Sequence, residues 1–156
     1  MISATIEGVD LTISGLESVG VEVREAAYYA VVEALQKAFQ ACKDTISLGD
    51  HSLKELALMG HPYGFKHPAQ IHDPDVDVHV QSGEYLASLK ARPPIGMATA
   101  IIEGSIVNES PLDRWIQEGT DKMRARPWMQ YIVDTYGEDF ADLIQARILA
   151  AAQAAA

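Results

Sequence analysis

The sequence predicts an α+β fold, in which a small antiparallel β-sheet packs against one long α-helix and a C-terminal helix follows. Three observations lead to this prediction. Apolar patterns typical of strands occupy residues 1–10 and 97–107. Residues 21–45 repeat apolar side chains every three or four positions, which is helical spacing. Helical spacing returns in residues 128–150.

The composition is that of an ordinary globular protein with a strongly acidic charge. Hydrophobic residues make up 48%, and 22 Asp and Glu residues outnumber 12 Lys and Arg residues, so the net charge is −10. That charge argues against a dedicated nucleic-acid binder and against a protein held on anionic lipid. No run approaches the roughly 20 apolar residues of a membrane span, and residues 1–10 lack a signal-peptide pattern. We expect one domain over 1–150 and an Ala-rich tail at 151–156 that frays.

The first half of the chain predicts a strand followed by a long helix. Alternation of apolar and polar residues in 1–10 indicates a half-buried strand that Gly8 closes. In the helix over 21–45, one apolar row ends at Cys42 and predicts a core-facing stripe. A second row beside it widens this stripe, which indicates either deep burial or contact on two sides, and we expect the helix to contact a neighbour as well. The residues of this row are Tyr28, Val32 and Phe39.

The middle of the chain predicts interrupted structure. A short helix over 52–59 precedes an irregular, proline-containing loop at 60–77. Gly83 marks a turn, and we expect Pro93 and Pro94 to break the chain before the strand at 97–107.

The C-terminal part predicts two helices. Residues 112–119 form a short amphipathic one, and Pro127 suits the first turn of the second. Gly137 is a candidate kink in this last helix.

The loop between Met59 and Asp77 and the strand after it raise an alternative function. A small metal-binding module or metalloenzyme could use imidazoles of this region, because imidazole and carboxylate ligands suit zinc, manganese and iron. None of the spacings is a recognised ligand pair, and H-E-x-x-H is absent, so we favour no metal and no cofactor. The candidate ligands are His61, His67, His72 and His79.

No motif for nucleophilic or phosphate chemistry occurs in the sequence. G-x-S-x-G, G-x-x-x-x-G-K-[ST] and G-x-G-x-x-G are absent. Cys42 lies on the apolar helix stripe, which predicts a buried structural thiol rather than a nucleophile. We therefore expect no catalytic residue and no enzyme activity.

A small basic cluster contrasts with the acidic chain. It is either a solvated loop or a docking patch for an acidic partner or another copy of the chain, since Arg favours paired contacts with carboxylates. Its members are Arg114, Lys122, Arg124 and Arg126.

The segment from Gly119 to Trp128 (G-T-D-K-M-R-A-R-P-W) resembles the G-T-x-x-M-x-A-x-P-[FW] signature of a bacteriophage tail-component family. Members are neck, tail-completion or head–tail joining proteins of long-tailed phages. The stretch 6–9 resembles the family's first strand, and 82–89 resembles its later strand start, with Ser82 in place of Thr. The loop at 60–77 departs from the family's short connection.

The resemblance implies a non-enzymatic virion protein that completes the tail or joins it to the head. It implies a cyclic ring of copies of this chain, hexameric or of another order, assembled in the bacterial cytoplasm. Its implied partners are a tail terminator or tail tube protein and a head-completion or connector protein, with genomic DNA as passing cargo and no membrane. An antitoxin-like or adaptor domain remains open. We expect a structural role for the motif residues Gly83, Gly119, Thr120, Met123, Pro127 and Trp128.

Overall fold

The computed structural model describes residues 3–7, 10–14, 20–47, 83–98, 101–121 and 125–155. These residues form an α+β fold, as the sequence predicts. The elements in chain order are β1 (Ser3–Glu7), β2 (Asp10–Ser14), α1 (Val21–Ser47), α2 (Glu84–Ala87), β3 (Leu89–Ile95), β4 (Ile102–Asn108), α3 (Asp113–Glu118) and α4 (Trp128–Ala154). The predicted helix at 52–59 and loop at 60–77 lie outside the described residues.

The four strands form one sheet in the order β1-β2-β4-β3. β1 and β2 pair antiparallel, with Ser3 opposite Ser14 and Glu7 opposite Asp10. β2 continues the sheet by antiparallel pairing with β4, where Ile13 lies opposite Ile102. The strand that the sequence predicts to close at Gly8 corresponds to β1, which ends at Glu7, and a second strand, β2, begins at Asp10.

The prediction that Pro93 and Pro94 break the chain is wrong, because both lie inside β3. β3 is an edge strand of the sheet. Proline lacks a backbone N–H group. A central strand donates its N–H groups to neighbours on both of its sides, whereas the outward-facing positions of an edge strand have no ladder partner, so an edge strand tolerates proline better. The following strand begins later than the sequence predicts, at Ile102 instead of residue 97.

α1 carries the core of the sheet-bearing part of the protein. Its apolar stripe is buried along its length, as the three- and four-residue spacing predicts; the buried side chains include Val23, Ala27, Ala30, Val31, Ala34, Leu35 and Ala38. β4 meets this stripe at a position without a side chain. A Cβ atom built on Gly104 would lie 2.4 Å from Leu35 Cδ1, so the glycine permits this close approach.

α4 runs without interruption from Trp128 to Ala154, and Gly137 does not break it. It is as long as α1, with 27 residues in each helix. On its buried side lie Ile132, Phe140, Ile144 and Ile148. The Ala-rich segment 151–154 is helical, so the helix extends into the predicted tail.

The chain divides into two compact units, and both are assembled from separate stretches of sequence. Unit 1 comprises residues 1–41, 90–107 and 132–156, and it contains the paired strands β1, β2 and most of β4. Unit 2 comprises residues 42–89 and 108–131, and it contains α2, α3 and the first turn of α4. The expectation of one domain over 1–150 stays a prediction.

Candidate functional site

The G-T…P-W segment begins with a backbone conformation that favours glycine. Gly119 ends α3 with φ 76° and ψ −176°, and its N–H donates to Trp115 O at 2.9 Å. A side chain at this positive φ would strain the backbone, which explains why the segment carries glycine here. Thr120, the next residue, is exposed.

The segment ends at a fully buried tryptophan that begins α4. Pro127 directly precedes the helix, and its carbonyl accepts the Tyr131 N–H at 3.0 Å. This position suits proline, because the first turn of a helix leaves N–H groups without intrahelical partners. Upstream, the Arg126 N–H donates to Ile116 O at 2.7 Å, which attaches the segment to α3.

Trp128 belongs to a partly buried hydrogen-bonded network that we call the aromatic corner, comprising Trp128, Tyr85 and Asp113. The Trp128 indole N–H donates to Tyr85 Oη at 2.7 Å, and the Tyr85 hydroxyl donates to Asp113 Oδ1 at 2.5 Å. The two rings meet edge to face with centroids 6.5 Å apart, a favoured arrangement for aromatic pairs. The corner thus joins α2, α3 and α4 within unit 2.

Neighbouring polar groups complete the aromatic corner. Gln117 Nε2 donates to Asp113 Oδ2 at 3.2 Å, and Asn108 Nδ2 donates to the Tyr85 carbonyl at 3.1 Å. The Ser110 N–H donates to Asn108 Oδ1 at 2.9 Å. Within the described part of the chain, no buried side-chain nitrogen or oxygen lacks a hydrogen-bond partner. A satisfied network of this kind fixes one arrangement of the elements that it joins.

The Tyr85 hydroxyl of the aromatic corner stays protonated. Burial raises the pKa of the Tyr85 hydroxyl well above its ordinary range, and the hydrogen bond to the Asp113 carboxylate raises it further. A tyrosine held neutral in this way keeps its proton for the bond to Asp113 and does not act as a base.

Gly83 precedes α2 in the left-handed region, with φ 78°. Its carbonyl accepts the Ala87 N–H at 2.9 Å, which closes the single turn of α2. A Cβ atom there would meet nothing within 4 Å, so the requirement for glycine is conformational and not steric. This turn places Tyr85 in the aromatic corner.

Two members of the predicted basic cluster are described, and they differ in exposure. Arg114 lies on α3 with its side chain 80% exposed, and its Nε donates to Glu118 Oε2 at 2.9 Å. This hydrogen bond raises the pKa of Arg114. Arg126 is half-buried. Lys122, Met123 and Arg124 lie outside the described residues.

The second apolar row of α1 is partly covered. Tyr28, Val32 and Phe39 are each half-buried. Beside them Tyr29 is 64% exposed and meets the Tyr28 ring edge-on, with centroids 5.6 Å apart. The prediction that this row contacts a neighbouring molecule stays a prediction.

Cys42 is buried at the start of unit 2, as its place on the helix stripe predicts. Burial raises the pKa of its thiol to about 12, so the reactive thiolate is disfavoured at neutral pH. The predicted metal ligands, from His61 to His79, lie outside the described residues. Within the described ranges, no group of three or more His, Cys, Asp or Glu residues could hold a metal ion.

Sequence reasoning missed an exposed apolar surface at the start of α3. Trp115 is 54% exposed and Leu112 is 45% exposed, whereas Ile116 is buried. Helical spacing could have revealed this, because adjacent residues on a helix point about 100° apart, so a short helix that buries Ile116 turns Trp115 outward.

The chain matches no family model, and comparison with curated proteins and with solved structures finds no significant match. The resemblance to phage tail components therefore rests on the motif residues themselves. No helix in the described residues is long and apolar enough to span a membrane.

Proposed function

We propose that this protein is a structural component of a long-tailed bacteriophage particle, located in the neck or tail. There it completes the tail or joins it to the head as part of a ring. Its partners are further copies of itself, a tail terminator or tail tube protein, and a head-completion or connector protein. Assembly takes place in the bacterial cytoplasm.

One observation carries this proposal: among the described residues that resemble the phage signature, Gly119 and Trp128 serve backbone geometry and packing. Gly119 supplies a left-handed backbone, and Trp128 is fully buried and hydrogen-bonded to Tyr85. An enzyme signature instead presents reactive side chains to a substrate. A signature devoted to backbone geometry and burial is what a protein of structural function needs.

The charge of the chain also favours this role. A net charge of −10 repels the DNA phosphates, so an acidic ring would let genomic DNA pass as cargo without retaining it. Direct DNA binding would instead require clustered cations that neutralise phosphates.

Electron microscopy of particles made without this protein tests the proposal. Disruption of its gene should yield DNA-filled heads and separate tails, and a plasmid copy of the wild-type gene should restore joined particles. The variant Gly119→Val should fail to restore them, because a valine side chain strains the backbone where α3 ends. Gly137→Ala, a glycine replacement inside α4, is the matched control and should restore joining.

Joined, infectious particles in the absence of the protein would contradict the proposal.

A further inference from the structure

The two edge strands of the sheet differ in how they resist pairing with another strand. Among the described strands, β3 ends the sheet on one side and β1 ends it on the other. β3 contains Pro93 and Pro94, and their missing N–H groups hinder the addition of a strand. β1 (S-A-T-I-E) contains no proline and no lysine, and its single charge, Glu7, lies at its last position. The β1 edge therefore keeps the chemistry of a strand that accepts a partner.

The register of β1 on β2 identifies the main-chain groups that face this edge. Glu7 lies opposite Asp10, and residues 8 and 9 connect them, so this pair closes the hairpin with hydrogen bonds in both directions. Hydrogen-bonded and non-hydrogen-bonded pairs alternate along an antiparallel ladder, which places Ala4 and Ile6 at the non-hydrogen-bonded positions. The N–H and C=O groups of Ala4 and Ile6 therefore point away from β2, toward the edge.

β1 is complementary to itself in the antiparallel orientation. A two-fold axis at Thr5 pairs Ala4 of each copy with Ile6 of the other, and since each such pair exchanges two N–H···O bonds, about four bonds form. The same register sets Glu7 of each copy opposite Ser3 of the other. The two Glu7 residues then lie roughly 13 Å apart along the strands, beyond the Debye length of about 8 Å at physiological ionic strength. Registers that bring them together would add repulsion to a chain of net charge −10.

We infer that the β1 strands of two copies of this chain pair antiparallel about Thr5 and join the two sheets into one. Main-chain hydrogen bonds supply the affinity in strand addition of this kind. The contact is isologous, because both copies use the same strand. It goes beyond the proposed function, since a ring is built from heterologous contacts and this two-fold contact forms between free chains.

Self-association of the purified full-length chain tests the pairing. Size exclusion with light scattering, over a range of concentrations, should show a dimer in equilibrium with the monomer. Ala4→Pro removes an outward N–H and leaves the hydrogen bonds to β2 in place. It deletes two bonds between the copies, each worth about fivefold in affinity, so the dissociation constant should rise about 25-fold. Ala4→Val keeps the N–H and is the matched control, and circular dichroism should show both variants folded.

Cysteine cross-linking tests the register without relying on a proline variant. Thr5 lies opposite itself in a non-hydrogen-bonded pair, where Cα atoms about 4.5 Å apart suit a disulfide. Thr5→Cys should therefore form a covalent dimer on mild oxidation, seen on a non-reducing gel. The row through Thr5 crosses Thr12 to the exposed Glu103, so this position is on the sheet face away from the core. Glu7→Cys is the control, because roughly 13 Å separates its two copies, and the native Cys42 is buried.

Three results would overturn the inference: a wild-type chain that stays monomeric at every concentration, Ala4→Pro that associates as tightly as Ala4→Val, or Thr5→Cys that cross-links no faster than Glu7→Cys. The outcome is independent of the neck role. If the dimer forms through β1 while gene disruption leaves particles joined, the pairing stands and the neck role fails.

Discussion

The Tyr85 hydroxyl serves two hydrogen bonds at once, and Tyr85→Phe removes both without changing the ring that packs against Trp128. Trp128 is fully buried, so its indole N–H would lose its partner where water cannot replace it. An unsatisfied buried donor costs about 1–3 kcal/mol. Asp113 retains its bond from Gln117 and is half-buried, so its loss is smaller, about 1 kcal/mol.

We therefore expect Tyr85→Phe to lower the free energy of unfolding by about 2–4 kcal/mol. Urea denaturation followed by tryptophan fluorescence measures this change. Tyr131→Phe, a change of the same kind at an exposed tyrosine in the first turn of α4, is the control and should stay within about 0.5 kcal/mol of the wild type.

A double-mutant cycle with Trp128→Phe isolates the hydrogen bond between the two side chains. When both partners are replaced, no buried donor is left without an acceptor, so the double variant should lose less stability than the sum of the single variants. Tyr85→Phe at wild-type stability, or strict additivity in the cycle, would refute the account of the aromatic corner.

Three further predictions follow from other parts of the molecule. Because burial raises the folded-state pKa of Cys42 from about 9 to about 12, the unfolded chain loses this proton first as the pH rises, and stability should fall between pH 9 and 12. Cys42→Ala should reduce that fall by about 1.4 kcal/mol per pH unit in alkaline urea titrations, and an unchanged slope would contradict the assignment. The hydrogen bond from Arg147 lowers the pKa of Glu33, so the ion pair stabilises the fold above the unfolded-state pKa of Glu33 and is lost as the pH falls through the folded-state value. Arg147→Gln should raise the pKa of Glu33 in carboxyl-carbon NMR titrations, and no movement would show that the pair is absent in solution. Gly104→Ala should destabilise the protein by about 1–3 kcal/mol through overpacking, measured by thermal unfolding. When Leu35→Ala is combined with Gly104→Ala, the shorter side chain should relieve part of the clash, so the double variant should lose less stability than the sum of the two single variants. Purely additive losses would show that the two residues do not meet.

The parts of the fold that the sequence predicts correctly depend on local spacing. The stripe of α1 is visible because its apolar residues recur with the helical period along one continuous segment. The two prolines of β3 give the opposite local signal, and the sheet tolerates them because β3 is an edge strand, paired on one side only. Which strand lies at an edge is a property of the whole sheet, so no local pattern reveals it.

In the aromatic corner, too, some residues can be identified from the sequence and others only from the fold. The sequence motif singles out Gly119 and Trp128, which the structure places at a positive φ and in the buried core, respectively. Tyr85 was not identified, because it lies 43 residues before Trp128 and 28 residues before Asp113. Single residues at such separations leave no periodic signal, and only the three-dimensional fold brings them together.

The division of the chain into interleaved units has a consequence for how the protein is made. Unit 2 has all its segments only after Tyr131 has been synthesised, and unit 1 only after synthesis has passed the residues of α4. During translation the early hairpin and α1 therefore emerge with their apolar stripe uncovered, and chaperones that shield nascent chains have a target there. We therefore expect unit 1 to complete its packing only after α4 has been synthesised.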